Sequence, residues 1–137
     1  MDYEGARLMT DLTKDLTILG NKVEGAITAD KLEKFPAPNV GLVSFVTSEV
    51  CALCPVTNQP DIYEVEIKYV PKDYCVESKS LKLYLMSFRD TGIFGEAITA
   101  KIADDLYASI QPRKVIVTSV QQIRGGLQMT STAVRGE

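Results

Sequence analysis

Ile62-Tyr63-Glu64-Val65-Glu66-Ile67-Lys68-Tyr69-Val70 is the stretch on which the fold turns. Apolar and charged residues alternate along it, the pattern of a strand with a buried face: Ile62, Val65 and Ile67 mark buried positions and Glu64, Glu66 and Lys68 oppose them. Upstream, Gly41-Leu42-Val43-Ser44-Phe45-Val46-Thr47-Ser48-Glu49-Val50 alternates apolar with small polar residues and reads as a strand that delivers the chain to Cys54. These two strands are expected to pair antiparallel, with Cys54 to Asp61 between them. Downstream, Leu81, Leu85 and Phe88 recur at helical spacing within Ser78 to Phe88, as do Ile98, Ile102, Leu106 and Ile110 after Glu96. Pro112 ends the second helix. Lys114 to Val120 is a β-branched strand, and Arg124-Gly125-Gly126 turns the chain into a last strand near Leu127 to Ala133.

Strand, strand, helix, helix, strand, strand is the order of an α+β layer architecture, an antiparallel sheet with two helices on one face. The first forty residues are punctuated by Gly5, Gly20, Gly25 and Pro36-Ala37-Pro38-Asn39, which predicts an irregular or extended lead-in packed on that core. The whole chain, 1–137, reads as one domain.

With 137 residues, 45% of them hydrophobic, the chain can bury a real though small core. Net charge is −3, with Lys and Arg scattered rather than clustered, which argues against free nucleic acid as a direct ligand. Charges or glycines interrupt every apolar run well short of the roughly 20 residues that span a bilayer. Met1-Asp2-Tyr3-Glu4 has no basic start followed by an apolar stretch, so no secretory signal is expected and a cytoplasmic protein follows. The three cysteines, Cys51, Cys54 and Cys75, make an odd count that suits reduced thiols better than a disulfide scaffold. Cys51-Ala52-Leu53-Cys54 has the spacing of a zinc or redox motif. The chain has no histidine, so zinc would have to recruit a carboxylate, and no thioredoxin-like context follows. No metal is expected; Cys51 is a chance neighbour or a reversible disulfide partner protecting Cys54.

Two segments carry the chemistry. Cys54-Pro55-Val56-Thr57-Asn58-Gln59-Pro60-Asp61 places a thiol a short loop from a carboxylate, a pairing that can supply a nucleophile and a proton donor to one substrate atom. Glu77-Ser78-Lys79-Ser80-Leu81-Lys82-Leu83-Tyr84 opens a helix with a carboxylate and a hydroxyl that can cap it. Lys79 and Lys82 share one face of that helix and can meet phosphate. There is no glycine-rich dinucleotide fingerprint after a strand.

Together with Leu19-Gly20-Asn21, Phe35-Pro36, Ser87-Phe88-Arg89, Phe94-x-Glu96 and Arg124-Gly125-Gly126, these segments resemble the 7-cyano-7-deazaguanine reductase family, the QueF nitrile reductases of the queuosine pathway. The resemblance implies a tunnelling fold whose sheets join across subunits into a barrel. It also implies a homo-oligomer with interface active sites, in the single-module branch a decamer of two stacked pentameric rings. By the same resemblance Cys54 is the nucleophile and Asp61 the general acid. Glu96, with Glu77 and Ser78 from a neighbouring subunit, binds the deazaguanine substrate. Lys79 and Lys82 contact NADPH, with Arg124 a weaker candidate for a cofactor phosphate or for loop structure. The family carries Phe-His-Glu, its histidine beside the substrate, where this chain reads Phe94-Gly95-Glu96; the missing ring is expected to leave room for a water. Two other readings use the same scaffold: an amidinotransferase that adds ammonia to the thioimide, and a non-catalytic deazapurine-binding subunit.

Overall fold

The computed structural model describes residues 16–18 and 27–137. The Leu19-Gly20-Asn21 segment and the glycines at 5, 20 and 25 lie outside the described residues. Six strands and two helices follow in the order β1 (Lys34–Pro36), β2 (Val43–Leu53), β3 (Pro60–Val70), β4 (Tyr74–Val76), α1 (Ser78–Met86), α2 (Gly95–Ile110), β5 (Lys114–Gln121) and β6 (Thr130–Gly136). A 3-10 turn over Ser87–Asp90 continues α1.

The main sheet has the order β2-β3-β5-β6, antiparallel throughout. One face of β3 carries Tyr63, Val65, Ile67 and Tyr69, all buried in a core shared with Val115 and Val117 of β5; α2 packs on β5 and β6, and α1 with its 3-10 continuation on β2. This is the α+β layer arrangement that the periodicities predict. Within the lead-in, β1 pairs with β4 in a separate small sheet, so this part is extended and tied to the core rather than irregular.

Three expectations change in detail. Ile62 is not a buried position but 45% exposed, because a strand alternates strictly and Ile62 shares its face with Glu64, whereas Asp61 shares the inner face with Tyr63. The first strand runs past Val50 to Leu53, through a bulge. Thr47 lies opposite Val65 and Val50 opposite Tyr63, so Ser48 and Glu49 together face the single residue Glu64. That extra residue switches the inward set from Val43, Phe45 and Thr47 to Val50 and Ala52, both fully buried. Finally, the last strand begins at Thr130 rather than near Leu127. Residues Arg124 to Leu127 close a tight turn of their own, with N–H to O distances of 2.9 Å in both directions between Arg124 and Leu127.

Candidate active site

Cys54 is the residue immediately after β2. Its N–H donates to the Gln59 carbonyl at 2.8 Å and its carbonyl accepts from Asn58 N–H at 2.8 Å, closing the loop through Pro55 to Asn58. Asn58 has φ 59°, a left-handed conformation that asparagine tolerates better than most residues. On the other side, Leu53 N–H donates to Thr91 O at 2.9 Å and Ile93 N–H donates to Leu53 O at 3.0 Å. The segment leading into α2 is thereby strapped beside the end of β2, which brings Gly95 and Glu96 to the Cys54 loop.

The thiol is half-buried and its loop suits an anion. The Thr57 hydroxyl, then the N–H groups of Thr57 and Val56, hydrogen-bond the sulfur and hold Cys54 below the usual thiol range, against desolvation and the charge of Asp61. A larger thiolate fraction near neutral pH is what a cysteine nucleophile requires.

Asp61, second residue of β3, is only 4% exposed, and its Oδ1 accepts from the Arg124 guanidinium in an ion pair. The Arg124 side chain is 43% exposed. Gly125 and Gly126, at φ 57° and 78°, provide the two positive φ angles that a type I′ turn demands, so the glycine pair sets the tip from which Arg124 reaches back to Asp61. Glu96 stands exposed in the first turn of α2.

Tyr63, inside the same cluster, has no counterpart in the sequence reading. Its ring is 1% exposed and its hydroxyl is buried without a hydrogen-bond partner. Burial first, then the charges of Asp61 and Glu96, push its pKa up to about 12; Arg124 opposes them and Cys54 adds a smaller push. The hydroxyl therefore feels every charged group of the site. Tyr63 also overturns the expectation of room for a water at Gly95. A Cβ built on Gly95 would run into the Met129 methyl, and would lie 3.1 Å from the Tyr63 ring and 3.3 Å from its oxygen. The place of a side chain at 95 is filled by Tyr63 and Met129. The strict alternation from Asp61 is the signal that finds Tyr63.

Glu77, Ser78 and Lys82 stand apart from this cluster. Glu77 is the N-cap of α1, its two carboxylate oxygens accepting from Lys79 N–H at 2.7 Å and Ser80 N–H at 2.8 Å. Lys79 Nζ donates to the Ile18 carbonyl at 3.1 Å, tying lead-in to helix. Ser78 and Lys82 line a groove of about 620 Å³ between α1 and residues Phe45 to Val50 of β2. Phe45, Val46, Leu81, Leu85 and Met86 give it apolar walls; Lys82 and Arg89 supply positive charge and Glu49 a negative one. The nearest of its β2 residues precedes Cys54 by about 13 Å of extended strand. Cys51 pairs in register with Ile62, and all three thiols are free. Among the described residues no group of three or more potential ligands is placed to hold a metal ion, and no helix is long and apolar enough to cross a membrane.

A family model described as QueF-like protein matches residues 60–137. The NADPH-dependent 7-cyano-7-deazaguanine reductase of Anaeromyxobacter dehalogenans (strain 2CP-C) is 45% identical over 109 residues, covering 77% of this chain and 89% of the relative. The reductase of the same name from Syntrophus aciditrophicus (strain SB) is 40% identical over 126 residues, covering 90% and 87%. Among solved structures, the apo form of the archaeosine synthase QueF-Like superposes with a TM-score of 0.68 at 23% identity, over 73% of this chain and 98% of that one, a likeness that carries the fold.

Proposed function

We infer, from the premise that this chain belongs to the QueF family, that it is a cytoplasmic NADPH-dependent reductase converting the nitrile of 7-cyano-7-deazaguanine to an aminomethyl group. The observation that carries the reading is Cys54, a thiol whose pKa the Thr57 hydroxyl and the Thr57 and Val56 N–H groups lower, held one short loop from Asp61.

The groove beside α1 fits the cofactor: apolar walls suit a planar base or nicotinamide, and Lys82 and Arg89 suit phosphate. Bound there, NADPH supplies a hydride to the substrate carbon in each of two reductions. The residues of the chain do the rest. Cys54 gives up its thiol proton to Asp61 and its Sγ attacks the nitrile carbon, forming a C–S bond and breaking one π bond of the nitrile, and Asp61 passes that proton to the nitrogen to give the thioimide. After the first reduction the C–S bond breaks and the sulfur leaves as a thiolate, received by the same Thr57 and Val56 donors, which frees an imine for the second. Each reduction adds one hydride and one proton. Arg124 engages one oxygen of Asp61, and a carboxylate has a second. Glu96 accepts from the paired N–H groups of the guanine-like ring.

Glu77, Ser78, Lys79 and Lys82 complete the site from a neighbouring copy of the chain. Two sheet edges, β2 and β6, that have no partner strand among the described residues support this. A ring-forming homo-oligomer, a decamer of two pentamers, closes those edges.

Intact mass measured after mixing the protein with 7-cyano-7-deazaguanine tests the reading. The expected result is an adduct of the nitrile's mass, absent in Cys54→Ala and discharged as the amine when NADPH is added. An adduct that NADPH leaves untouched would overturn the reductase, and no adduct would leave only a binding module.

A further inference from the structure

Tyr63 Oη is a donor waiting for an acceptor. A buried phenol without a hydrogen bond is costly relative to a satisfied one, so its presence needs a reason. Neighbouring groups in the cluster cannot do its work. Asp61, an acceptor in its ion pair with Arg124, can donate only after it has taken up the proton of the Cys54 thiol, and Glu96 stands exposed in the first turn of α2. The reacting nitrogen gains negative charge as the C–S bond forms, and a fixed neutral donor facing that charge stabilises it more in the transition state than in the ground state.

We propose that the Tyr63 hydroxyl donates a hydrogen bond to the nitrile nitrogen while Cys54 attacks the nitrile carbon, and so acts as a catalytic residue of the thioimide-forming step. This rests on the capture of a nitrile by Cys54. Tyr63 lies on the inner face of β3 immediately beyond Asp61, with its ring fixed opposite Val50 by the register after the β2 bulge. Gly95 is what admits the ring: its missing side chain is the space that the Tyr63 oxygen approaches. The half-buried Met129, whose methyl covers Gly95, ends in a flexible thioether chain and is the part of this wall that can swing aside for substrate. The hydroxyl, raised to about 12, keeps its proton at every pH at which the thiolate works. No net transfer from tyrosine is required; the proton that ends on nitrogen is the one assigned to Asp61.

Tyr63→Phe tests this with three readouts. The rate of adduct formation with 7-cyano-7-deazaguanine, followed by quenched intact mass, is expected to fall about 100-fold, the scale of losing one such donor. Alkylation of Cys54 by iodoacetamide is expected to keep its rate, since the thiol's own donors are untouched. The unfolding midpoint is expected to stay level or rise, because the variant loses no protein hydrogen bond. Equal adduct rates in the two proteins would overturn the proposal. A parallel fall in alkylation, or a lowered midpoint, would overturn it too, by making Tyr63 a support of the loop. A wild-type protein that forms no adduct would instead remove the reading beneath it.

Discussion

At the scale of single residues, the reactivity of Cys54 is built by its own loop. The Thr57 hydroxyl is the first of the groups that lower its pKa, ahead of two backbone N–H groups, and it also accepts from Gln59 N–H at 3.4 Å, which sets the hydroxyl in the turn. Thr57→Val keeps the shape and removes the donor. The sign follows directly: a donor to sulfur favours the thiolate, so its loss raises the pKa of Cys54, and the pH midpoint of iodoacetamide alkylation moves upward. Below that midpoint the variant reacts more slowly, and well above it the two proteins converge. An unchanged midpoint would mean that the backbone donors alone carry the effect. Cys54 and Asp61 were legible in the sequence as a candidate pair, because thiol, short loop and carboxylate are adjacent along the chain; the roles given to them come from the family resemblance. The Asp61–Arg124 ion pair was not, since those residues are joined only when β3 and the tip before β6 come together in space.

At the scale of elements, two local irregularities aim the site. The bulge in β2 reverses which side chains face inward just before Cys54, and simple alternation through Val50 cannot show where the parity changes. The sequence pattern gave strand and helix identities well, because each has its own period. It misplaced Ile62, an apolar residue on the outer face of an unbroken alternation, and the start of the last strand, where a turn intervenes. The turn at Gly125 and Gly126 is the second irregularity, and it can be tested. A side chain at φ 78° places Cβ against the backbone, at a cost of about 1–2 kcal/mol. Gly126→Val is therefore expected to lower unfolding stability by about that much in a denaturant titration. It should also slow adduct formation, since the tip that carries Arg124 shifts. If stability falls and adduct formation does not, the ion pair with Asp61 is structural only.

For the whole molecule, the two groups of candidate residues on one chain decide what a complete site must be. Cys54, Asp61, Tyr63 and Glu96 gather at one end of β2, and Ser78 and Lys82 line the groove beside Phe45 to Val50 of that strand. The proposed assembly joins the Cys54 end of one chain to the α1 groove of another, and this has a consequence that can be measured. Cys54→Ala and Lys82→Glu each spoil one group and leave the other intact, and each homogeneous protein is expected to lose reductase activity. When the two are mixed, dissociated and reassembled, a site that takes its thiol from one parent and its lysine from the other is whole. With equal amounts and random assortment, about a quarter of the sites in a symmetric oligomer have that composition. Recovery to near that fraction of wild-type turnover, appearing only after reassembly, is the expected result. Activity that stays absent in the reassembled mixture would place both halves of each site on one chain, and the groove beside α1 would then have to serve something other than the cofactor.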